Sequence, residues 1–287
     1  MTITFLLEII MENIRNSILE TQLLPSQTAC FYLGQVGFLL KHLEKYILID
    51  PYLTDYVDQH FTTDAVKWVR RYPAPVDPGD LDFADLVLCT HPHTDHADPW
   101  TLTKIAEVND KAVFAGPDSV CDVYEELGID SSRICRLKAD QPHPFFNDVT
   151  VTPVPAAHEE LHPDGRGGYE EVGYLLELGT QRIFHSGDCC PYEGLEQRIM
   201  NCDMMMLAVN GRDYYRRYEQ DIIGCFEPKE AAIIAKRTGA GLLVPMHIDL
   251  YDVNALNPAV FVDTLMEVNR AQKFHIFMPG ECYVLCD

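Results

Sequence analysis

The segment His91-Pro92-His93-Thr94-Asp95-His96 places three imidazoles and a carboxylate within six residues, directly after the apolar run Leu86-Val87-Leu88-Cys89. Imidazole nitrogens and carboxylate oxygens are donors that zinc, manganese and iron accept. In an extended segment residues two apart face one side, so His91 and His93 converge on one point. A turn then presents Asp95 and His96 to a neighbouring point. Four more candidates also follow apolar runs: Asp50 after YILI, His158 after VTPVPAA, Asp188 after RIFHSG and His247 after LLVPM. Singly, each is ordinarily a structural or turn residue. Their shared position, together with the 91–96 cluster, points to one rim where several strands end, the place where layered α/β folds build sites.

Those residues need strands to carry them. CFYLGQVGFLL (30–40) reads as two strand segments relieved by Gly34 and Gly37, and YILID (46–50) as a compact apolar strand. Further strands are expected at 85–90, 112–116, 149–154, 173–178, 182–187 and 242–247, with KFHIFMP and CYVLC closing the chain. Helices are expected at 5–22, at 99–109 opened by Pro99, at 117–127, at 228–239 with a glycine stop, and at 258–270. Residues 52–80, with Pro73, Pro75 and Pro78, read as a long ordered loop, which in a compact domain is often functional. Adjacent strands early and alternating strands and helices later suit two sheets with helices outside, an αββα sandwich. Residues 1–28 read as an N-terminal helical extension and 29–287 as a single domain.

Composition limits the partners. The 287 residues carry 44 Asp+Glu against 22 Lys+Arg, a net charge of −22, which disfavours a nucleic-acid partner. At 47% hydrophobic and 23% charged, the chain has the makings of a core and is not a disordered sequence. No apolar run approaches the roughly 18 residues of a membrane span. The ten cysteines form no C-x-x-C pair and read as reduced thiols, several in apolar stretches. Glu8 and Glu12 interrupt the apolar N-terminus, which lacks a basic leading region, so no signal peptide is expected and a cytoplasmic location follows. Met11 is an alternative start.

The ordered set Asp50, H-x-H-x-D-H at 91–96, His158, Asp188 and His247 resembles the five motifs of the metallo-β-lactamase superfamily over residues 30–286. That resemblance implies the four-layer αββα metallo-β-lactamase sandwich and a two-metal centre. His91, His93 and His158 would hold one ion, Asp95, His96 and His247 the other, and Asp188 would bridge them. Asp50 would orient motif imidazoles, and Asp95 would also accept a proton from the attacking water or return one to the leaving alkoxide; these two are the catalytic candidates. Within the superfamily, YLGQVGFLL, ILIDPYL, the Trp68-Val69-Arg70-Arg71 stretch, LVLCTHPHTDHADP, GYLLEL with FHSGDCC, and LLVPMHIDLY resemble the L-ascorbate-6-phosphate lactonases, the UlaG group. The segment CCPYEGL after Asp188 and the region 208–227 depart from that group. The group resemblance implies manganese, whereas zinc is the superfamily default. It also implies a homo-oligomer.

The activity so implied is the opening of a small phosphorylated sugar lactone by a metal-bound hydroxide. Coordination lowers the pKa of water to roughly 7, and the metal stabilises the developing oxyanion. A phosphorylated, anionic substrate needs cations. Arg212, Tyr214, Tyr215 and Arg216, which follow the apolar stretch 204–209, are the candidates for substrate binding, with Arg166 and Arg70-Arg71 as weaker ones. Cys189, next to Asp188, is a conceivable thiolate ligand. Two other readings stay open: a phosphodiesterase of the same fold, and a non-catalytic protein that keeps the metals as a structural centre.

Overall fold

In a computed structural model, residues 14–286 are described. Among the described residues, fourteen strands are arranged in two seven-stranded sheets. In chain order the first sheet takes β1 (Gln27–Gly34), β2 (Gly37–His42), β3 (Lys45–Ile49), β4 (Leu86–Leu88), β5 (Val113–Gly116) and β6 (Ile134–Arg136). The second takes β7 (His143–Phe146), β8 (Val149–Pro155), β9 (Val172–Leu178), β10 (Gln181–His185), β11 (Met204–Ala208), β12 (Leu242–Met246) and β13 (Lys273–Phe274). The last strand, β14 (Cys282–Cys286), returns to pair antiparallel with β1, so the sheet orders are β14-β1-β2-β3-β4-β5-β6 and β13-β12-β11-β10-β9-β8-β7.

Side-chain alternation explains the layering. Phe38, Leu40, Ile47, Ile49, Leu86 and Leu88 point between the sheets, where they meet Tyr174, Leu176, Ile183, Met204, Met206 and Val244. The intervening Leu39, Leu48 and Val87 point outward to Leu102, Ile105, Val120 and Tyr124. These last four lie on α3 (Pro99–Val108) and α4 (Asp118–Glu126). On the far side, Met205, Leu207 and Leu243 pack against Ala231, Ala235, Phe261 and Leu265. Those residues belong to α7 (Pro228–Thr238) and α8 (Pro258–Val268). Strands buried on both faces must be apolar at every position, hence the continuous runs in the sequence. The four-layer αββα sandwich is thus the observed fold.

Each sheet is parallel on one side: β3 through β6, and β10 through β13. Strand β8 is antiparallel to β9, which is antiparallel to β10, so β8, β10 and β12 all end at the same edge. A less expected feature follows from β2, which runs antiparallel to β3 with Phe38 opposite Ile49. The β1–β2 turn, Gly34 to Gly37, therefore also arrives at that edge.

Local differences from the sequence reading are informative. The stretch 52–80 is not wholly loop: α2 (Tyr56–Phe61) and a 3-10 turn at Pro78–Asp80 lie in it. KFHIFMP forms only the two-residue β13, and α5 (Leu195–Arg198) and α6 (Tyr214–Glu219) are short helices that periodicity over one turn could not reveal. Of the expected helix at 5–22, residues 14–20 are helical (α1), and the remainder before residue 14, with Met11, lies outside the described residues. Ile18 of α1 is fully buried on the first sheet, and Lys41 Nζ donates to the carbonyls of Ile18 and Leu19 at 2.9 Å each, closing that helix end. All ten cysteines are free, and seven are buried. No helix among the described residues is long and apolar enough to cross a membrane.

Candidate metal centre

The loop after β4 is fixed from below. Tyr174 Oη donates to the Cys89 carbonyl at 2.6 Å, and Asp50 N–H donates to the Leu88 carbonyl at 2.8 Å. Asp50 is completely buried and sits at a positive φ of 45°. Such a backbone costs free energy and persists only where the surroundings over-determine it. Here the Asp50 carboxylate accepts from Thr90 N–H (2.7 Å), Thr90 Oγ1–H (2.7 Å) and His96 Nδ1–H (2.8 Å). Thr90 Oγ1 in turn accepts from His91 Nδ1 at 3.0 Å. Hydrogen on Nδ1 leaves the Nε2 lone pair of both His91 and His96 directed away from Asp50, into the site. One buried carboxylate thus sets two imidazoles.

The expected residues come together. The donor atoms of His91, His93 and His158 lie within 4.8 Å of one another, as do those of His91, His96 and Asp188, and those of Asp95, His96 and His247. Asp188 is central: its Oδ1 is 3.4 Å from His96 Nε2, and its Oδ2 is 3.4 Å from His158 Nε2 and 3.5 Å from His247 Nε2. Gly187 brings it there at φ +55°; a Cβ on Gly187 would stand 2.8 Å from the Val172 carbonyl and 2.9 Å from Thr90 Cβ. His247 likewise holds a positive φ of 61°, its N–H donating to the Gln35 carbonyl at 2.7 Å.

Several of these donor atoms make no hydrogen bond among the described residues. His91 Nε2, His96 Nε2 and Asp188 Oδ1 are buried without a hydrogen bond. Buried polar atoms are nearly always satisfied, so a cluster of orphaned imidazole nitrogens and carboxylate oxygen fits a divalent cation. The electrostatics agree. Burial opposes the charge on His96, but Asp188, Asp95 and Asp50 outweigh it and raise its pKa well above the usual imidazole value. Burial also opposes charge on His247, and Asp188 with Asp95 raise it to about 9. Asp188 stays ionised far below the usual carboxylate range, since His247 and His96 outweigh its burial. His91, buried among other imidazoles, is held neutral.

His93, Asp95, His158, Asp188 and His247 line a cleft of about 460 Å³, whereas His91 and His96 are buried outside its lining. Its walls are Val57, Phe61, Trp68, Pro92, Ile222 and Ile223, with Thr94, Asp221 and Asn254 as further polar lining. None of the described lining residues is Lys or Arg. The structure does not bring the proposed substrate residues here. Arg212 donates to the Cys225 carbonyl (2.7 Å) and pairs with Glu230 (2.6 Å). Arg216 pairs with Asp213 and donates to the carbonyls of Asn210 (2.9 Å) and Gly211 (2.8 Å), a brace behind Asn254. Tyr214 and Tyr215 stand 72% and 63% exposed on α6. Arg166 pairs with Asp122, Arg71 with Asp252, and Arg70 donates to the Thr54 carbonyl. Cys189 is buried beside the site, and burial pushes its thiol up, against the thiolate that ligation requires.

Three residues of the site escaped the sequence reading. Thr90 was legible only as a strand residue. His185, fully buried, donates from Nε2 to the Val36 carbonyl at 2.8 Å and accepts from Gly187 N–H at 3.2 Å, tying the β1–β2 turn to the end of β10. Gln35, in that turn, faces Asp95 and His247.

Comparison with known proteins agrees with this architecture. A UPF0173 metal-dependent hydrolase of Caldivirga maquilingensis is 23% identical over 252 residues, spanning 87% of this chain and 95% of the relative. The UPF0173 metal-dependent hydrolase TTHA1283 of Thermus thermophilus is 26% identical over 261 residues, spanning 87% and 96%. The crystal structure of the metallo-β-lactamase fold protein YhfI from Bacillus subtilis superposes with a TM-score of 0.65 at 17% identity, covering 90% of this chain and 99% of that one. The family model described as the β-lactamase superfamily domain matches residues 45–248, and the chain belongs to that superfamily, on its metallo-β-lactamase fold.

Proposed function

We propose that the chain is a metal-dependent hydrolase that opens an acyl bond, a lactone or small ester, in an uncharged small molecule. The observation that supports this reading is the cluster of imidazole and carboxylate donors, several of whose buried atoms make no hydrogen bond, beside an open cleft with an apolar wall. In this proposal His91, His93 and His158 would hold one divalent cation and Asp95, His96 and His247 a second, with Asp188 available to either group. Bound there, zinc or manganese would polarise a carbonyl and make water acidic enough to attack near neutral pH.

The chain's own residues do the rest. Asp95, a partly open carboxylate on the cleft wall, can take the proton of the attacking water and return it to the leaving alkoxide. Asp50 acts as a positioning residue through Thr90, His91 and His96. Trp68, Phe61, Ile222 and Ile223 receive the apolar body of the substrate and exclude water around it. The resemblance to ascorbate-phosphate lactonases supports the lactone part of the reading. The phosphate part loses its support, because Arg212 and Arg216 are engaged in ion pairs and carbonyl contacts outside the cleft.

The test is metal analysis of the purified protein, followed by hydrolysis assays with γ-butyrolactone, p-nitrophenyl acetate and bis-p-nitrophenyl phosphate in zinc and in manganese. Turnover of the lactone or the ester, abolished together with metal content in Asp188→Ala, is the expected result. A fully metallated Asp188→Ala protein with wild-type turnover would remove Asp188 from the centre, and a preference for the phosphodiester would replace the acyl reading.

A further inference from the structure

The amide of Gln35 occupies a place among the donors that none of the expected motifs supplies. Gln35 is 1% exposed. Its Nε2 donates to Asp95 Oδ2 at 3.0 Å and lies 3.3 Å from His247 Nε2, and those two atoms are 3.6 Å apart. Donors held at about 2.0–2.2 Å from one cation stand about 3.0–3.5 Å from each other, so the triangle has the dimensions of one face of a coordination shell. Fully buried His96 has its Nε2 3.8 Å from the same Asp95 oxygen.

The backbone holds this amide in place. Gln35 sits at φ +59°, and two long-range partners and one local one fix its peptide groups: its N–H donates to Tyr72 Oη at 3.3 Å, and its carbonyl accepts from His247 N–H (2.7 Å) and from the nearby Tyr32 Oη–H (3.1 Å). The turn is therefore locked to the same residue, His247, whose ring its side chain approaches.

A purely supporting amide would contact the far side of these groups, the other Asp95 oxygen or His247 Nδ1. His247 Nδ1 instead has no partner at all. Gln35 meets the very atoms that would face a cation. An N–H directed at both lone pairs would compete with the metal, whereas a half-turn about the last side-chain bond exchanges nitrogen for oxygen and presents an acceptor. We propose that Gln35 is an additional ligand, binding through Oε1 to the cation held by Asp95, His96 and His247. This inference rests on the metal-dependent reading above.

The decisive comparison uses the full chain as wild type, Gln35→Leu and Gln35→Glu. Each variant keeps a side chain with a Cβ, so the positive-φ backbone demand is unchanged, and circular dichroism melting of the metal-free proteins monitors folding. Zinc and manganese binding is read by plasma mass spectrometry and by competition with a chromophoric chelator, without reference to turnover. A ligand role predicts that Gln35→Leu loses at least tenfold in affinity for one cation, while Gln35→Glu, which supplies a charged oxygen at the same place, binds within threefold of wild type or tighter. Gln35→Leu binding within threefold of wild type overturns the proposal. So does Gln35→Glu binding tenfold more weakly, since a glutamate repelled by Asp95 would mark the native amide as a hydrogen-bond donor. If wild type itself takes up neither cation, the failure is that of the proposed function and not of the amide.

Discussion

Replacing Asp50 by Asn tests how one buried carboxylate prepares the proposed metal centre. Asn tolerates the left-handed backbone that Asp50 adopts and matches its shape. Its single oxygen can keep the Thr90 N–H, which leaves an NH2 facing Thr90 Oγ1 and His96 Nδ1, at 2.7 and 2.8 Å from the present carboxylate oxygen. His96 must then accept at Nδ1 and carry its hydrogen on Nε2, where the lone pair is needed. Thr90 Oγ1, now an acceptor from the amide, turns its own hydrogen to His91 Nδ1, 3.0 Å away, and inverts that ring as well. Loss of such an outer partner weakens metal affinity by about 10–100-fold, or about 1.4–2.8 kcal/mol, and one affected imidazole lies in each donor group. The metal-free protein should change little, about 1–2 kcal/mol at most, because the lost charge-assisted bonds are offset by the relief of a buried charge. Chelator competition on wild type and Asp50→Asn, with melting of both metal-free proteins, measures the two effects separately. Unchanged affinity for both cations in a folded Asp50→Asn protein would show that the Asp50–Thr90 network does not govern these rings.

Two further perturbations follow from the geometry. Gly187→Ala places a Cβ against the Val172 carbonyl and Thr90 at a positive φ, so we expect a loss of about 1–3 kcal/mol in urea unfolding together with weaker metal retention as Asp188 shifts; wild-type stability would contradict the packing argument. Protons and cations compete for His247 Nε2. With its pKa raised to about 9, this imidazole is protonated at pH 7, so metal uptake must release a proton there and affinity must rise with pH until about 9. Calorimetric titration with zinc at pH 7 in two buffers of different ionisation enthalpy counts the protons, and a count of zero would contradict the assignment.

Much of the centre was legible because its spacing is local or because its residues end apolar runs. H-x-H-x-D-H needs only a short extended segment and a turn, and Asp50, His158, Asp188 and His247 each close a run that must be a buried strand. The reading of Arg212 and Arg216 as phosphate ligands shows where such reasoning stops. Both follow the end of β11, at the correct edge, yet their guanidinium groups are taken up by Glu230, Asp213 and nearby carbonyls. Position along a strand says which rim a residue reaches, not which way a long side chain turns. The cleft walls were equally hidden, since Val57, Trp68 and Ile222 come from irregular segments without a period.

Gln35 marks the same boundary. It precedes a strand, β2, instead of closing an apolar run, and an antiparallel hairpin turn carries it to the rim. The sequence by itself determined the four layers and the candidate donors, because the pattern of apolar residues is a one-dimensional record of what must be buried. Tertiary structure alone decided which hydrogen bonds orient those donors and which neighbours join them. Those choices depend on distances between segments that the chain order leaves free until the two sheets pack.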